Sequence, residues 1–502
     1  MITPVRSALI SVYYKDGIDR LCRALHANGT EIISTGGTRT YIENLGIPVT
    51  SVESLTGYPE ILGGRVKTLH PAIFGGILGR RDLESDRQEM EEHGIRNIDL
   101  VVVDLYPFAE TLANSEDPAA ITEKIDIGGV SLIRAAAKNH AHTAILSRKE
   151  DLDAFTAAYE TQGGTLPEQR RQLAATALQV TSAYDAMIAA WLAGDTPVSD
   201  DRYPLRYGEN PHQAAWFQGD LKGLFHQHHG KELSYNNLLD ADAAVMLMAD
   251  FQEKEEAVFA ILKHNNACGF AMADTLPQAW HKALAADPVS AFGGVLICNR
   301  SLDLATAEAV NQLFFEILIA PGYEAAALEL LKSKKNRMLL EQRQVRFPQM
   351  QRRSVLNGVL WQQRDTATED RSDFQFVTTR KPSDMQCRDL ECALRLVKHT
   401  RSNAIVLVKD GCLLAAGTGQ TSRVDALDQA IAKAGRFGFN LQDASMASDA
   451  FFPFPDCVEI AAAAGITAIA QPGGSLKDQL SIDAAETLNL AMIFTGKRHF
   501  RH

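Results

Sequence analysis

The segment Ile125-Asp126-Ile127-Gly128-Gly129 places an acidic side chain among apolar residues and glycines. A carboxylate in such surroundings is expected to be partly buried, and a buried carboxylate needs a hydrogen-bonding or charged partner. Lys138, three helical turns along the chain, is one candidate partner, and Asp104 and Tyr106 follow an apolar run upstream. A carboxyl, a phenol and an amine can pass protons to and from a substrate, so this cluster predicts acid–base chemistry. A purely structural carboxylate would give the same pattern.

A second chemical pattern is the pair Lys263-His264, which ends another apolar run. A neighbouring ammonium disfavours the imidazolium, so we expect His264 to be neutral near pH 7 and able to accept a proton. Adjacency of this kind also arises by chance in ordinary surface or core histidines. Zinc-deaminase chemistry is not indicated, because the chain lacks the combination of H-x-E with P-C-x-x-C.

Two loops carry residue types that bind phosphate. Residues 34–38 read Ser-Thr-Gly-Gly-Thr, and small residues at the start of a helix let backbone N–H groups and hydroxyls surround an anion. Residues 64–71 add Arg65, Lys67 and His70 between a glycine and a proline. The alternatives are a tight turn that needs glycine only for its dihedral angles, and a solvated basic loop.

These residues lie on a predicted alternation of strands and helices. Apolar, β-branched runs predict strands, and apolar residues at helical spacing, such as Ile18, Leu21, Cys22 and Leu25, predict helices. The order predicts an α/β fold with a parallel, doubly wound sheet, in which ligands bind beyond the carboxyl ends of the strands. The predicted strands cover residues 8–14, 31–35, 47–52, 99–105 and 143–146, and the predicted helices cover 18–28, 38–45 and 130–139.

Composition limits the class of protein. The 502 residues are 46% hydrophobic and 22% charged, which is typical of a globular chain of two or three domains. A net charge of −12 without a run of like charges argues against a nucleic-acid or membrane partner. The least polar stretch, 460–470, is shorter than the roughly 20 residues of a membrane span. Seven scattered cysteines without a C-x-x-C motif favour reduced thiols and a cytoplasmic location.

The second half of the chain contains a faint internal repeat. Residues 260–271 and 404–417 each combine an apolar strand with a lysine and a glycine, which predicts two similarly built lobes. Residues 195–204 are rich in Asp, Pro and Ser and lack an apolar period. The predicted domains are therefore residues 1–195 and 205–502, joined by a linker at 196–204.

Ten motifs then appear in the order in which one enzyme family carries them, so the chain resembles that family along nearly its whole length. The family joins aminoimidazole carboxamide ribonucleotide (AICAR) transformylase to inosine monophosphate (IMP) cyclohydrolase, in purine biosynthesis. The motifs are STGGT, GGRVKTLHP, DLYPF, IDIGGVSLIRAAAKN, LRYGENPHQ, KHNNACG, DPVSAFGG, ASDAFFPF, QPGGS and FTGKRHFRH.

The resemblance implies an N-terminal cyclohydrolase domain similar to methylglyoxal synthase. Motif positions imply that its catalytic residues are Lys67, Tyr106, Asp126 and Lys138. They imply that its nucleotide is held by Lys15, Ser34, Gly36, Gly37, Thr38, Arg65 and Thr68.

For the second domain the resemblance implies a transformylase of two cytidine-deaminase-like lobes, with Lys263 and His264 as the formyl-transfer pair. It implies 10-formyltetrahydrofolate as formyl donor, no zinc, a homodimer with a shared site, and in some members a monovalent cation such as potassium near 397–402. The ribonucleotide-binding positions are Arg206, Tyr207, Gly293, Glu316, Asn403, Arg423 and Arg498. The folate-binding positions are Val424, Phe451, Asp456 and Ser475.

Two departures from the common family pattern add negative charge near the predicted phosphate site. Tyr13-Tyr14-Lys15-Asp16-Gly17 replaces a frequent Ser-Asp-Lys-Thr-Gly, and Asp104 replaces a frequent Asn. They raise the alternative of an active transformylase beside a degenerate, nucleotide-sensing cyclohydrolase domain. A further alternative, an N-terminal unit that only senses nucleotides, arises because methylglyoxal-synthase-like folds also serve as regulatory phosphate binders. We expect Asp16 to cap the helix that begins near Ile18 and to point away from the phosphate.

Overall fold

The computed structural model describes residues 2–194, 202–343 and 347–502. The chain divides into two compact units, Met1–Val198 and Ser199–His502. Of the predicted linker, residues 196–201 lie outside the described residues, and residues 202–204 begin a strand.

The first unit is built on a parallel sheet of five strands among residues 2–194, in the order β4-β3-β2-β5-β6. Its strands are Thr3–Pro4 (β1), Ser7–Ser11 (β2), Glu31–Ser34 (β3), Thr50–Ser51 (β4), Leu100–Val103 (β5), Ala144–Leu146 (β6) and Gly164–Thr165 (β7). Its helices are Ile18–Ala27 (α1), Gly36–Asn44 (α2), Val52–Thr56 (α3), Pro71–Leu78 (α4), Glu84–Glu92 (α5), Phe108–Asn114 (α6), Pro118–Thr122 (α7), Gly128–Lys138 (α8), Glu150–Gln162 (α9) and Pro167–Ala193 (α10).

Helices cover both faces of this sheet, as its near-continuous apolar strands require. On one face, α1 and α9 bury Leu21, Leu25 and Phe155 against the strands. On the other face, α4 and α8 bury Ile77 and Leu132. The strand order reverses between β2 and β5, so the predicted doubly wound sheet is confirmed and its switch point lies between these two strands.

The second unit is a tandem repeat. Its strands are Arg202–Leu205 (β8), Ala215–Gln218 (β9), Phe225–His229 (β10), Ala257–Lys263 (β11), Asn266–Ala273 (β12), Gly294–Cys298 (β13), Phe315–Ala320 (β14), Met338–Gln342 (β15), Met350–Val355 (β16), Gly358–Gln363 (β17), Gln375–Phe376 (β18), Ile405–Lys409 (β19), Cys412–Gly417 (β20), Ser445–Ser448 (β21), Ala468–Gln471 (β22) and Ala491–Phe494 (β23). Its helices are Leu221–Leu224 (α11), Tyr235–Ala249 (α12), Leu276–Ala286 (α13), Leu304–Val310 (α14), Ala325–Lys332 (α15), Asp384–Lys398 (α16), Arg423–Arg436 (α17), Asp456–Ala463 (α18) and Asp478–Thr487 (α19).

The order α-β-β-α-β-α-β-α-β occurs twice, from α12 to β15 and from α16 to β23. The predicted internal repeat is therefore confirmed, with the two echoing segments forming the hairpins β11-β12 and β19-β20. In the part of this unit that the structure describes, both copies share one sheet of twelve strands, joined where β12 pairs with β20.

Strand direction determines which loops lie near one another in this sheet. The end of β11, the starts of β13, β14 and β19, and the ends of β20 to β23 all lie at one edge. That edge carries most of the predicted transformylase residues. Among the described residues, every helix is too short or too polar to cross a membrane.

Candidate active sites

At the switch point of the first unit, the Asp104 carboxylate connects the two segments that follow β2 and β5. Asp104 follows β5 and accepts hydrogen bonds from the backbone N–H groups of Tyr13 and Tyr14, which follow β2; the Tyr14 N to Asp104 Oδ2 distance is 3.0 Å. Burial raises the pKa of Asp104, although these amides and the nearby Lys15 favour its charged form. The ring of Tyr13 lies edge-on to that of Tyr106, 5.9 Å away, so both phenols sit at this cleft.

Asp126 lies beside the same cleft, half-buried as predicted. Its carboxylate accepts from the N–H of Gly129 at 2.7 Å and of Tyr106 at 3.4 Å. Its own N–H donates to the hydroxyl of Tyr184 at 2.8 Å. Burial raises the pKa of Asp126, the two amides oppose this, and Asp104 adds to it. The structure therefore brings Tyr106 and Asp126 together.

Lys138 does not join them, and the expectation that it pairs with Asp126 is wrong. Helix α8 begins at Gly128, beside Asp126, and ends at Lys138. A rise of 1.5 Å per residue separates its ends by about 15 Å. Since the helix runs back along the sheet, Lys138 lies at the opposite edge, near the start of β6. This position does not favour the catalytic role that the resemblance implies for it.

Lys67 lies at the start of α2. A Cβ added to Gly36 would lie 3.4 Å from the Lys67 amine, so the absence of a side chain there leaves room for the amine. The amine forms an ion pair of 2.8 Å with Glu60. Thr68 follows in the same loop and is close to Gly128, whose added Cβ would be 3.4 Å from the Thr68 hydroxyl.

Other residues that were predicted to hold the nucleotide form hydrogen bonds within the first unit itself. Ser34 donates its hydroxyl to the Ile10 carbonyl at 2.6 Å, and Thr38 donates to the Val12 carbonyl at 2.9 Å. These bonds connect the start of α2 to the end of β2, so the Ser34 and Thr38 hydroxyls are already used within the fold. A Cβ at Gly37 would meet nothing within 4 Å, which leaves this turn open.

Lys15 and Arg65, the two cationic residues that were predicted to hold the nucleotide, both bond to nearby groups of the first unit. Lys15 donates to the carbonyls of Val12 and Tyr13, and burial lowers its pKa. Arg65 is exposed and forms a bidentate pair with Glu123. A phosphate would have to compete with these contacts for both cations.

Asp16 does not cap α1, contrary to expectation. The cap position belongs to Gly17, in the left-handed region with φ 85°, and no side chain bonds to the helix start. The Asp16 carboxylate instead lies 3.4 Å from the amine of Lys149. The left-handed glycine displaces the aspartate from the position that capping requires.

Sequence reasoning missed Lys124. Its amine lies 5.6 Å from the ring centre of Tyr13 and 5.8 Å from that of Tyr106. Its position two residues before Asp126 was the available signal, but the contact depends on Tyr13, more than 100 residues away in sequence. It adds a positive charge to the aromatic side of the cleft.

In the second unit, His264 occupies the tip of the hairpin β11-β12. His264 and Asn265 both have left-handed backbone dihedral angles, with φ of 49° and 66°. A two-residue hairpin turn requires such angles, which are costly for residues other than glycine. Asp240 holds the turn by accepting from the Asn265 N–H at 2.7 Å. The strain presents the His264 side chain to solvent at the sheet edge.

The amine of Lys263 is directed at the loop before β13. It donates to the carbonyls of Phe292 at 3.0 Å and Gly293 at 2.9 Å. An ammonium has three N–H donors, so one remains for a ligand beside His264. Gly293 has φ 68°, and a Cβ there would lie 3.1 Å from the Lys263 amine, so the close approach requires glycine.

Glu316 stands at the start of β14 and is held by Asn237 of α12, whose side-chain amide donates to it at 2.8 Å. Arg206 and Tyr207 follow β8, and the guanidinium stacks on the phenol ring at 4.9 Å. Arg206 is exposed and Tyr207 half-buried. The structure gives no direct contact between this pair and Glu316.

Three further predicted residues, Asn403, Arg423 and Arg498, lie at the other lobe. Asn403 donates its side-chain amide to the Gln420 carbonyl at 3.0 Å. Arg423 forms an ion pair of 3.1 Å with the fully buried Asp449. The guanidinium groups of Arg423 and Arg498 lie 5.7 and 4.8 Å from the ring centre of Phe500.

The predicted folate residues lie around the carboxyl ends of β20 to β22. Val424 opens α17 and packs against the core of the second lobe, and Phe451 is half-buried beyond β21. Asp456 begins α18 and accepts from the Cys457 N–H at 2.8 Å. Ser475 follows β22 and accepts from the Lys477 N–H at 3.1 Å.

The predicted ribonucleotide residues form two groups, one around Glu316 and one around Arg423, which are separated along the sheet edge. Six strand steps divide β14, which carries Glu316, from β21, which ends just before Asp449, the ion-pair partner of Arg423. At about 4.8 Å per step the separation along the edge is about 29 Å, longer than one nucleotide. One chain therefore does not place all the predicted ribonucleotide residues on one ligand.

Comparison with known proteins identifies the class to which this fold and these sites belong. Residues 17–131 match the model of the MGS-like domain, and residues 136–433 match that of the AICARFT/IMPCHase bienzyme. Relatives called bifunctional purine biosynthesis protein PurH are 53% identical in Bacteroides thetaiotaomicron and 49% identical in Chloroflexus aurantiacus; the matches cover 99% of this chain and 99% and 98% of theirs. A solved structure titled "Crystal structure of ForH" is 38% identical over 37% of this chain and 96% of its own, with a TM-score of 0.34.

Both the fold and the sequence matches therefore define this chain as a two-unit α/β protein whose first domain is similar to methylglyoxal synthase. The chain belongs to the AICARFT/IMPCHase bienzyme family.

Proposed function

We propose that this chain catalyses the last two steps of purine biosynthesis, with one step in each unit. The second unit transfers a formyl group from 10-formyltetrahydrofolate to AICAR, and the first closes the formylated product to IMP with loss of water. The observation that carries the proposal is the full-length relation to bifunctional purine biosynthesis proteins, together with separate acid–base groups in the two units.

Formyl transfer needs a base and an oxyanion donor. The aromatic amine of AICAR is a poor nucleophile, so a base must take its proton as nitrogen attacks the formyl carbon. His264, at the tip of the strained turn, is suited to this task. The remaining N–H of Lys263 can stabilise the negative charge that develops on the formyl oxygen. The bond from the formyl carbon to the folate nitrogen then breaks, and the proton held by His264 passes to that nitrogen, so that tetrahydrofolate leaves.

Ring closure needs proton transfer at the first unit. The carboxamide nitrogen attacks the formyl carbon and loses one proton, and the formamide nitrogen loses another as the new C=N bond forms. The formyl oxygen gains both protons and leaves as water. Asp126 can take the proton from nitrogen, because burial raises its pKa toward the range useful for a base. Tyr106 can return a proton to the leaving oxygen, and Lys67 can hold the substrate near the start of α2.

The two acidic departures do not favour a sensing module. The carboxylate of Asp104 is committed to the amides of Tyr13 and Tyr14, and that of Asp16 to Lys149. Both charges therefore have local partners, and the repulsion of phosphate that motivated the alternative is reduced.

We further propose a homodimer, a monovalent cation and a cytoplasmic location. The separation of β14 from β21 along the sheet edge supports a site shared by two copies. The cation proposal is supported by the fully buried Asp449, whose Oδ2 has no hydrogen-bond partner and which lies next to Ala404, close to residues 397–402. The cysteines are all free thiols, which suits a reducing compartment.

A coupled assay tests the function. The protein is supplied with AICAR and 10-formyltetrahydrofolate, and tetrahydrofolate, formylated AICAR and IMP are quantified. We expect tetrahydrofolate and IMP in equal amounts. Accumulation of the formylated nucleotide would instead support the degenerate first unit, and the absence of tetrahydrofolate would refute the transformylase assignment.

A further inference from the structure

A cavity of about 410 Å³ lies between the two lobes of the second unit. It opens beside His264 and extends away from the hairpin tip to the far half of α17. Its volume lies within the range of small-molecule sites. The residues that line it are Lys263, His264, Asn266, Ala267, Cys268, Asp287, Ser290, Ala416, Thr418, Gln429, Ala432, Lys433 and Arg436.

The far wall of this interlobe cavity is positively charged. Lys433 forms an ion pair of 2.7 Å with Asp287, which is 3% exposed, and the amine keeps two further donors. Arg436 is exposed and has no ion-pair partner among the described residues. With Lys263 at the other end, three cations face the single carboxylate of Asp287, so the cavity has a net positive charge.

Neutral donors continue this surface. Gln429 accepts from the Thr418 N–H at 2.8 Å through its carbonyl oxygen, which leaves its side-chain NH2 group free to donate. The Ser290 hydroxyl lies on the same wall but is already hydrogen-bonded to Asp287. The Gln429 amide and the two cations suit the oxygens of a carboxylate or phosphate better than an apolar ligand.

We propose that the interlobe cavity is an anion subsite of the formyl-transfer centre, in which Lys433 and Arg436 bind a carboxylate or phosphate of one of the two substrates. This inference rests on the proposed function, because it takes the cavity to be continuous with the transfer site at His264. The folate substrate supplies glutamate carboxylates and the nucleotide supplies a phosphate, so the same chemistry has two sources.

A simpler role for the two cations is to stabilise the end of α17. Both lie in its last turn, where positive charge complements the helix dipole. A helix-stabilising role predicts a small change in unfolding temperature and no change in ligand affinity. Binding measurements therefore distinguish the two roles.

The test uses Arg436→Gln and Arg436→Glu in the full chain. Lys433 is less suitable, because its removal would leave the buried Asp287 without its cation. Calorimetric titration with tetrahydrofolate monoglutamate, tetrahydrofolate triglutamate and AICAR measures each Kd at two salt concentrations. The control is Arg388→Gln, which removes an exposed arginine on α16 that does not line the cavity.

We expect Arg436→Gln to weaken one of these ligands about fivefold, as for one partly exposed charge pair, and Arg436→Glu to weaken it more. A larger loss for the triglutamate would identify the folate tail, and a loss for AICAR alone would identify the phosphate. Changes below twofold for all three ligands would overturn the subsite. A parent protein that binds these ligands but transfers no formyl group would instead refute the proposed function.

Discussion

At the scale of single residues, backbone groups position side chains of both proposed catalytic sets. Asp126 is oriented by the N–H groups of Gly129 and Tyr106, and Lys263 by the carbonyls of Phe292 and Gly293. A substitution that keeps a hydrogen-bonding atom, such as Asp126→Asn, therefore changes the reactive group and can keep a contact with the backbone. This makes it informative about chemistry rather than folding.

Replacement of Asp126 by asparagine should stop ring closure and spare formyl transfer. Asparagine keeps an oxygen for the Gly129 amide but cannot take a proton, and loss of a general base costs about 10²- to 10⁴-fold in rate. The measurement is cyclisation of supplied formylated AICAR, with tetrahydrofolate release from the same preparation as control. A variant that cyclises at the parental rate would exclude Asp126 as the base.

At the scale of elements, helix α8 separates two residues that the sequence places close together. Lys138 lies about 15 Å along the helix from Gly128, and Asp126 has other partners. We therefore expect Lys138→Ala to reduce ring closure by less than about tenfold, far less than Asp126→Asn. Cyclisation rates of the two variants compare them directly. A loss as large as that of Asp126→Asn would show that Lys138 reaches the reacting atoms, from a second copy of the chain.

The C-terminal segment is held by a buried histidine. His499 contacts Asp365 at 2.6 Å through Nδ1 and Glu369 at 3.1 Å through Nε2. Burial disfavours its charge, but the hydrogen bonds and charges of both carboxylates outweigh burial and raise the pKa of His499 to about 9. The neighbouring Arg498 and Phe500 belong to the cluster around Arg423, so this anchor positions part of the predicted nucleotide site.

This anchor should make stability depend on pH. A histidine whose pKa is higher in the folded state than its ordinary 6.5 contributes stability that is complete below pH 6.5 and lost as pH rises through about 9. The unfolding temperature of the parent should fall over this interval more than that of His499→Gln, which cannot titrate. Calorimetric scans from pH 6 to 9.5 measure the difference. If the unfolding temperatures of the parent and of His499→Gln fall equally with pH, His499 does not stabilise the fold through its charge.

The bounds of helices and strands were predicted well where an apolar period determines them. They were predicted less well where a single hydrogen bond determines where an element ends. The helix with Leu21 and Leu25 and the strand around Val102 lie where their apolar patterns place them. The strand predicted over 47–52 is only Thr50–Ser51, because the Ser51 hydroxyl accepts from the Ser54 N–H at 3.0 Å and begins α3. A strand pattern does not reveal that cap.

At the scale of the whole molecule, the sequence predicts the doubly wound sheet and the repeat of the second unit, because both depend on the order of elements. The contacts within the sites depend on distant residues. The turn at His264 is held by Asp240, and Lys124 meets Tyr13. Neither contact has a local signature, since His-Asn is not a usual turn pair and Tyr13 is far from Lys124 in sequence.

If two chemistries occupy separate units of one chain, His264→Ala should lose one and keep the other, which its rate of cyclisation measures. Formylated AICAR is supplied to the variant and to the parent, and IMP formation is followed while formyl transfer is measured in parallel. We expect His264→Ala to cyclise formylated AICAR at the parental rate while its formyl transfer is reduced about 10²- to 10⁴-fold. Cyclisation that falls together with formyl transfer would contradict the separation of the two chemistries.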